Sequence, residues 1–400
     1  MPIDTMRSIN TYLPIRLGRR PYKIFVTSKE RKFNRRQRRE ESRKRKRGER
    51  IAKYDDFSLI YNIDNLYKAF HKCKLGVLWK ESTQRYRLNL FSNLLKTSRQ
   101  LINGENVTCG FVEFIINERG KKRHIRSVHI SERVIQKCLC DQSLVPILSN
   151  SLIYDNGASL KNKGIHFSIR RFIHHLSHFY RHNGFSNNGY CLSVDFSKYF
   201  DSIAHSKLID LVERVIHDQQ VVNLIKQFVF SFGADKSLGL GSQVSQILAI
   251  FYLNKMDHFI KEVLRIKYYG RYMDDIYLIH HDKQYLEYCR KEIQNIHENL
   301  GIRANDKKTR ITKLKDGIKF LKGVYFLTEK GRVVRYATPD SRKRMRRKLV
   351  KFKALLEAGK MSYGDIRTAY QSWRGNYIKR FDAYNTIRRM DGLYNRLFVL

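Results

Sequence analysis

The chain has 400 residues, a formal net charge of +42 and 42% hydrophobic residues, which suits a globular protein of two or three subdomains with a substantial core. A charge this high repels itself strongly without a polyanion, so the release of counterions makes nucleic acid the first partner to consider. The absence of a long apolar span, of a secretory signal pattern and of paired C-x-x-C elements argues against a membrane partner, secretion and a zinc finger, and we expect a cytoplasmic protein.

Residues 1–53 differ in composition from the rest and are predicted to form a basic N-terminal arm. The stretch 29–53 carries two clusters of arginine and lysine and almost no apolar residue, so it cannot bury a core by itself. Its helix-forming residues favour a helix or arm that RNA orders, as happens with other arginine-rich segments. The alternative is a disordered tail that keeps the protein soluble.

Residues 54–190 begin with segments of helical character. Apolar spacing predicts one helix at 65–70 and a longer one over 86–102. His174 and His175 lie in a further helix-like stretch without a metal-ligand pattern, and we expect them to be structural or to face phosphate.

A hairpin is predicted between these helices, over residues 114–126, with a glycine in its turn and a cationic second strand. Lys121 and Arg123 fall on one face of that strand because side chains alternate along it. A phosphate is one ligand for this face, since arginine grips phosphate through two hydrogen bonds. The alternative is an edge strand whose lysines and arginines prevent aggregation.

Three aspartates stand at the ends of predicted strands. Residues 191–195 form an apolar strand that ends at Asp195, and Asp274 with Asp275 occupies the turn between two strands rich in aromatic and β-branched residues. Carboxylates in such a place are costly unless a cation accompanies them. Two or three of them suffice to hold two Mg²⁺ ions about 3.5–4 Å apart, with water and substrate phosphates as the other ligands. The alternative is that Asp274 and Asp275 are only turn formers.

After Pro339 the chain is strongly helical and basic. Met345, Leu349 and Phe352 keep helical spacing, while arginine and lysine occupy the opposite face. We expect three helices in this region, the last one over 381–397.

In its motifs and their order the chain resembles reverse transcriptases, specifically the bacterial lineage of group II introns, retrons and diversity-generating retroelements. The resemblance covers about residues 111–326 and extends into the C-terminal helices. It implies an α+β right-hand polymerase fold, with fingers at 54–190, a palm at 191–335 whose antiparallel sheet carries the catalytic hairpin, and a helical thumb at 336–400. Five motifs carry the resemblance, namely Asp195 with 199–201, then 239–246, 272–275, 304–309 and 320–323.

The resemblance also implies a role for particular residues. Asp195, Asp274 and Asp275 would hold two Mg²⁺ ions, and Lys308 would place an ammonium near the leaving pyrophosphate. The residues expected to contact the incoming nucleotide are Lys121, Arg123, Phe196, Phe200, Leu240, Gly241 and Gln246. Those expected to contact primer or template are Arg133, Tyr272, Met273, Phe320, Leu321, Lys322 and Gly323.

Two of these residues have a specific physical interpretation. Phe200 stands five positions after Asp195, where the family places an aromatic ring under the sugar of the nucleotide; such a ring leaves no room for a 2′-hydroxyl, although Phe200 as a core aromatic is the alternative. Gly241 would let the backbone approach a base pair, which any side chain would prevent.

The chain departs from the family pattern at two positions. Many relatives have Pro-Gln-Gly where this chain has Gly239-Leu240-Gly241, so an aliphatic side chain replaces the glutamine that touches the nucleotide. With Ser245 and Gln246 this resembles the diversity-generating branch, which copies adenines inaccurately, and we hypothesise that Leu240 relaxes nucleotide selection. Lys322 stands where relatives often have glycine, which leaves the alignment of the primer-gripping motif loose by one residue.

The resemblance implies an RNA-directed DNA polymerase in a bacterial cytoplasm. Its expected partners are dNTPs, a template RNA or structured noncoding RNA, and the RNA–DNA duplex, with an oligomer left open. Two biological settings are considered, phage defence with a noncoding RNA and a diversity-generating retroelement. The alternative functions are a template-independent nucleotidyltransferase and a non-catalytic RNA-binding scaffold.

Overall fold

The computed structural model describes residues 27–118 and 121–399, so the expectations for residues 1–26 lie outside the described part. The chain divides into two units, residues 1–49 and 50–400. The described part of the first unit belongs to helix α1 (Ser28–Tyr54), and a helix is one of the two forms expected for the basic arm.

Helix α1 begins at a reciprocal cap formed by Thr27 and Glu30. The Glu30 amide donates to the Thr27 hydroxyl at 3.2 Å, and the Thr27 amide donates to the Glu30 carboxylate at 2.7 Å. Ion pairs between residues four apart, Glu40 with Lys44 and Arg45 with Glu49, add only a few tenths of a kcal/mol each, about 0.2–0.5.

The second unit starts with a helical region that contains one β-hairpin. A single helix was predicted over 86–102, but two helices meet at Asn89, whose φ of −111° and ψ of 39° are not helical. The elements are α2 (Ser58–Tyr61), α3 (Ile63–Cys73), α4 (Glu81–Leu88), α5 (Leu90–Ile102), β1 (Phe111–Glu118), β2 (Lys121–Val128), α6 (Ile130–Leu139), a π-helical turn (Cys140–Leu144), α7 (Val145–Leu148) and α8 (Ile165–His182).

A four-stranded antiparallel sheet in the order β4-β5-β3-β6 is the central sheet of the second unit. Alternate residues of its strands enter two cores: Leu278 packs among the helices on one face, and Tyr277 packs toward α8 on the other. The elements here are β3 (Tyr190–Val194), α9 (Tyr199–Ser202), α10 (His205–Glu213), α11 (Gln219–Phe230), α12 (Gln243–Tyr252), α13 (Asn254–His258), a second π-helical turn (Phe259–Val263), β4 (Tyr268–Tyr272), β5 (Asp275–His280), α14 (Lys283–Asn299) and β6 (Arg310–Lys313).

A separate three-stranded antiparallel sheet, β7-β8-β9, precedes three C-terminal helices with a small core of their own. The three expected helices are present, although the last begins at Tyr384 and not at Phe381. The elements are β7 (Ile318–Phe320), β8 (Gly323–Leu327), β9 (Val333–Ala337), α15 (Pro339–Glu357), α16 (Tyr363–Arg380) and α17 (Tyr384–Phe398). The architecture is therefore α+β, as expected.

No helix within the described residues is long and apolar enough to cross a membrane.

Candidate active site

Strand register brings the three aspartates together at one end of strands β3, β4 and β5. Val194 of β3 pairs with Ile276 of β5, so Asp195 faces Asp275 one step further along. Facing residues of adjacent antiparallel strands hold their Cβ atoms about 4.5–5.5 Å apart. Tyr272 pairs with Asp275, which leaves Met273 and Asp274 as the two-residue turn between β4 and β5.

The turn has an unusual backbone conformation at Met273. Its φ is +54°, in the left-handed region that glycine and asparagine adopt most easily. For another L-residue this costs roughly 1–2 kcal/mol, so the surrounding structure has to hold the turn. One contact that stabilises the turn is a hydrogen bond of 3.2 Å from Nη1 of Arg271 to the Met273 carbonyl oxygen.

The electrostatics of the site favour a cation. Burial raises the pKa of Asp275 to about 7, and the charges of Asp274 and Asp195 contribute to the rise. Burial and then the charge of Asp195 also raise the pKa of Asp274, against a hydrogen bond from its own amide. Carboxylate oxygens are the ligands that Mg²⁺ prefers, and an ion would relieve this repulsion. The three aspartates therefore fit a divalent metal by chemistry.

The carboxylates of the three aspartates do not converge on one point in this structure. Among the residues that the structure describes, no three His, Cys, Asp or Glu side chains form a group that could ligate one ion. Instead, Nζ of Lys308 donates to Oδ2 of Asp195 at 2.7 Å. The Lys308 side chain is 52% exposed, so solvent screens this ion pair.

The loop that carries Lys308 is attached to the end of β3. The amide of Asn305 donates to the Asp195 carbonyl at 2.7 Å, and the amide of Lys308 donates to the Asn305 carbonyl at 3.0 Å. Lys308 was predicted to lie near the leaving pyrophosphate, and in the structure its ammonium contacts the Asp195 carboxylate.

A cavity of about 460 Å³ opens beside the aspartates. The predicted primer-gripping residues of the β7–β8 turn line it together with Asp195, Asp275 and Lys308; they are Phe320, Leu321, Lys322 and Gly323. Leu321 and Lys322 have φ of 44° and 67°, which is the pattern of a tight two-residue hairpin turn. Because the Phe320 ring is buried against Phe172 and Tyr277, this turn offers a ligand chiefly its backbone and Lys322.

The two phenylalanines after Asp195 differ in exposure. The ring of Phe196 is 3% exposed and packs against Tyr199 and His297, so only its main chain is left for the predicted nucleotide contact. Phe200 is half-buried, with its ring edge-on to Tyr199 at a centroid distance of 5.8 Å. Phe200 is therefore less buried than Phe196, and its predicted sugar contact stays a prediction.

The loop that precedes α12 lies against strand β2. The Leu240 carbonyl accepts a hydrogen bond of 3.2 Å from the Arg126 amide, and a Cβ at Gly241 would stand 2.9 Å from the Arg126 carbonyl oxygen. Gly241 also has a φ of +127°. Packing within the chain thus requires this glycine, independently of a base pair. Gln246 is exposed and accepts a hydrogen bond of 3.1 Å from the Ser159 hydroxyl.

The β1–β2 hairpin approaches the aspartates. The side chain of Lys121 lies outside the described residues, but Arg123 is exposed and its charge acts on Asp274 to lower the raised pKa. Arg133, in α6 next to the hairpin, is half-buried and donates to the Ser127 hydroxyl at 3.2 Å.

Two residues behind the turn were not predicted from the sequence. Arg271 and Asp257 form an ion pair in which both side chains are 0% exposed. A signal existed, because Arg271 interrupts an otherwise apolar and aromatic strand and Asp257 ends an apolar helical run.

The family model "Reverse transcriptase (RNA-dependent DNA polymerase)" matches residues 116–325, just over half of the chain. No curated protein sequence matches. Solved structures of telomerase are similar to this chain at low identity. Apo telomerase from Candida tropicalis truncated from its C-terminal domain has a TM-score of 0.44 at 12% identity, over 56% of this chain and 54% of that one.

Telomerase from Candida albicans, in complex with the TWJ fragment of telomeric RNA, has a TM-score of 0.45 at 12% identity, over 74% of this chain and 61% of that one. Apo telomerase from Candida tropicalis has a TM-score of 0.45 at 13% identity, over 72% of this chain and 59% of that one. The chain thus spans less than two thirds of the length of each of these structures.

Proposed function

We propose that this chain, which belongs to the reverse transcriptase family, is an RNA-directed DNA polymerase that joins dNTPs to a primer 3′ end. The family has the right-hand polymerase fold. In this proposal the β1–β2 hairpin belongs to the fingers (54–190), the four-stranded sheet is the palm (191–335), and α15, α16 and α17 are the thumb (336–400). The observation that carries the proposal is the register that sets Asp195 opposite Asp275 beside the turn at Asp274.

Asp195, Asp274 and Asp275 are the residues that would hold Mg²⁺, in the form of two ions. When bound, such ions lower the pKa of the primer 3′-hydroxyl and neutralise charge on the leaving pyrophosphate. The ammonium of Lys308, adjacent to Asp195, stabilises the same developing charge. Arg123 holds the triphosphate, and the β7–β8 turn with Lys322 positions the primer.

The partners in this proposal are a template RNA or structured noncoding RNA and the RNA–DNA duplex. The net charge of +42 supports a polyanionic partner, because each phosphate contact releases counterions. The setting is either phage defence or a diversity-generating retroelement in a bacterial cytoplasm. Neighbouring DNA distinguishes them: a noncoding RNA gene in a defence island, or a template repeat beside a variable gene.

Primer extension on a defined RNA template tests the proposal. We expect Asp274→Asn to reduce synthesis by about 10²- to 10³-fold or more, because the carboxylate charge is lost, while RNA binding remains. Asp316→Asn, which changes an exposed aspartate in another loop, serves as the matched control and should keep full synthesis.

Three other outcomes would each mean something different. Equal extension by wild type and Asp274→Asn would defeat the polymerase proposal. Synthesis that does not depend on the template would favour a template-independent nucleotidyltransferase. RNA binding by a wild-type protein that extends no primer would favour a non-catalytic scaffold.

A further inference from the structure

The ion pair of Arg271 and Asp257 lies in the core directly behind the β4–β5 turn. Nε of Arg271 donates to Oδ1 of Asp257 at 2.8 Å and Nη2 donates to Oδ2 at 2.5 Å, while the Tyr269 hydroxyl donates to the same carboxylate. Stability does not explain such a pair well, because replacing a buried ion pair with apolar residues of similar volume is often neutral or stabilising. The other hydrogen bonds of the guanidinium indicate a different role.

The remaining donors of the guanidinium reach two carbonyl groups. Nη1 donates to the Met273 oxygen at 3.2 Å, and Nη2 donates to the Ile250 oxygen at 2.8 Å. A planar guanidinium with five donors can make these bonds at once, which a single ammonium cannot. Arg271 thereby connects the turn to the end of α12 and, through Asp257, to α13.

The backbone of Arg271 is fixed as firmly as its side chain. Its amide donates to the Asp155 carbonyl at 3.1 Å, and its carbonyl accepts from the Gly157 amide at 3.0 Å. These two hydrogen bonds fix the position of the Arg271 backbone, so the guanidinium would not move along with the turn if the turn were displaced. Met273, which it holds, has the left-handed φ and directly precedes Asp274.

We propose that the buried Arg271–Asp257 pair is a positioning device that holds the Met273 carbonyl and so orients Asp274 and Asp275 for metal binding. This inference rests on the proposed function, because it assigns a metal to those aspartates. The side chains of Arg271 and Asp257 are both 0% exposed, so they act through the turn.

The double variant Arg271→Met with Asp257→Leu removes both charges without leaving one unpaired in the core. We expect its melting temperature to stay near that of the wild type, kcat to fall about 10- to 100-fold, and KM for dNTP to stay within about threefold. Mn²⁺ affinity, measured by electron paramagnetic resonance without nucleotide, should weaken about tenfold.

Arg271→Lys keeps the charge opposite Asp257 but lacks the guanidinium nitrogen that also reaches the Met273 carbonyl. This variant tests the positioning role if the double variant does not fold. We expect kcat and Mn²⁺ affinity to fall in this variant, as in the double variant. Tyr269→Phe is the matched control: it removes a hydrogen bond from the same carboxylate without touching the turn, and both quantities should remain near wild type.

Wild-type kcat and Mn²⁺ affinity in a folded double variant, or in Arg271→Lys if the double variant does not fold, would overturn the positioning role. A wild-type protein without polymerase activity would count against the proposed function instead. In that case the Mn²⁺ affinities still decide whether the pair orients the aspartates.

Discussion

Phe200 is the side chain expected to set the choice of sugar, with a core aromatic as the alternative. Its half-buried ring follows Asp195 by five residues and packs edge-on against Tyr199. If the ring lies under the sugar, Phe200→Ala opens space for a 2′-hydroxyl, and we expect ribonucleotide incorporation to rise roughly 10- to 100-fold. Single-nucleotide extension with matched dNTP and rNTP measures this. Phe230→Ala, at an exposed phenylalanine of α11, should leave the ratio unchanged, and an unchanged ratio in Phe200→Ala would mark Phe200 as a core residue only.

Leu240 is the residue that we hypothesise relaxes the choice of base. The Leu240 carbonyl accepts a hydrogen bond from the Arg126 amide. Because this contact joins main-chain atoms, Leu240→Gln keeps it and changes only the side chain. We expect misincorporation to fall about tenfold, because a glutamine supplies a polar contact that discriminates among nucleotides. Sequencing of products made on a defined RNA template measures the error rate. Leu88→Gln, at an exposed leucine, is the control, and equal error rates in wild type and Leu240→Gln would end the hypothesis.

Sequence reasoning at this scale found side chains whose chemistry is local. The places of Asp195, Asp274 and Asp275 at strand ends and in a turn could be predicted, because both features are visible in the alternation of residues. The contact of Lys308 with Asp195 joins residues 113 apart, and only the pairing of strands shows it. The burial of Phe196 depends on His297, which belongs to a helix elsewhere in the sequence.

At the scale of elements, α8 is attached to the central sheet by a cluster of charged and polar side chains. Arg171 donates to Asp155 at 2.6 Å, Lys261 lies 3.7 Å from the same carboxylate, and His175 contacts both Asp155 and the Tyr277 hydroxyl. Burial lowers the pKa of His175, although Asp155 acts in the opposite direction. Burial would raise the pKa of Asp155, but hydrogen bonds from His175 and Arg171 hold it well below its usual range.

These shifts predict a loss of stability in acid. His175 takes up a proton below pH ~6.5 when unfolded but resists it when folded, so the unfolded chain binds more protons and stability falls as the pH drops from 7.5 to 5.5. We expect His175→Asn to flatten this slope, by at most about 1.4 kcal/mol per pH unit. Chemical denaturation across this range measures it. His281→Asn, at an exposed histidine, should keep the wild-type slope, and an identical slope in His175→Asn would contradict the account.

Element types were more predictable than their ends. The apolar period over 86–102 continues through Asn89, so a periodicity argument cannot detect the break there. Strand β4 begins only at Tyr268, because the second π-helical turn and its connection occupy the preceding residues. The separation of β7, β8 and β9 into a sheet of their own follows from long-range pairing, which a pattern of alternation does not encode.

At the scale of the whole molecule, charge is the dominant property, and the basic helix α1 concentrates it. Removal of residues 1–49, the first unit, should weaken RNA binding and make log K less steep in log salt, by about 0.7–0.9 for each phosphate that the shortened protein no longer neutralises. Filter binding at several salt concentrations measures this. Replacing the five basic residues 43–47 with glutamine is the matched variant and should reduce the slope in the same direction. An unaltered slope in both variants would favour the solubilising tail.

The β7–β8 turn and the C-terminal helices are connected by specific bonds. Nη2 of Arg380, at the end of α16, donates to the Leu321 carbonyl at 2.5 Å, and Arg335 of β9 pairs with Asp382 at 2.8 Å. In the proposed function, the enzyme advances by one base pair in each cycle. The β7–β8 turn is expected to hold the primer end, and the C-terminal helices are expected to hold the finished duplex. Because the hydrogen bond and the ion pair join these two parts, we expect the turn and the helices to move together during translocation. Slippage of one past the other would require both contacts to break.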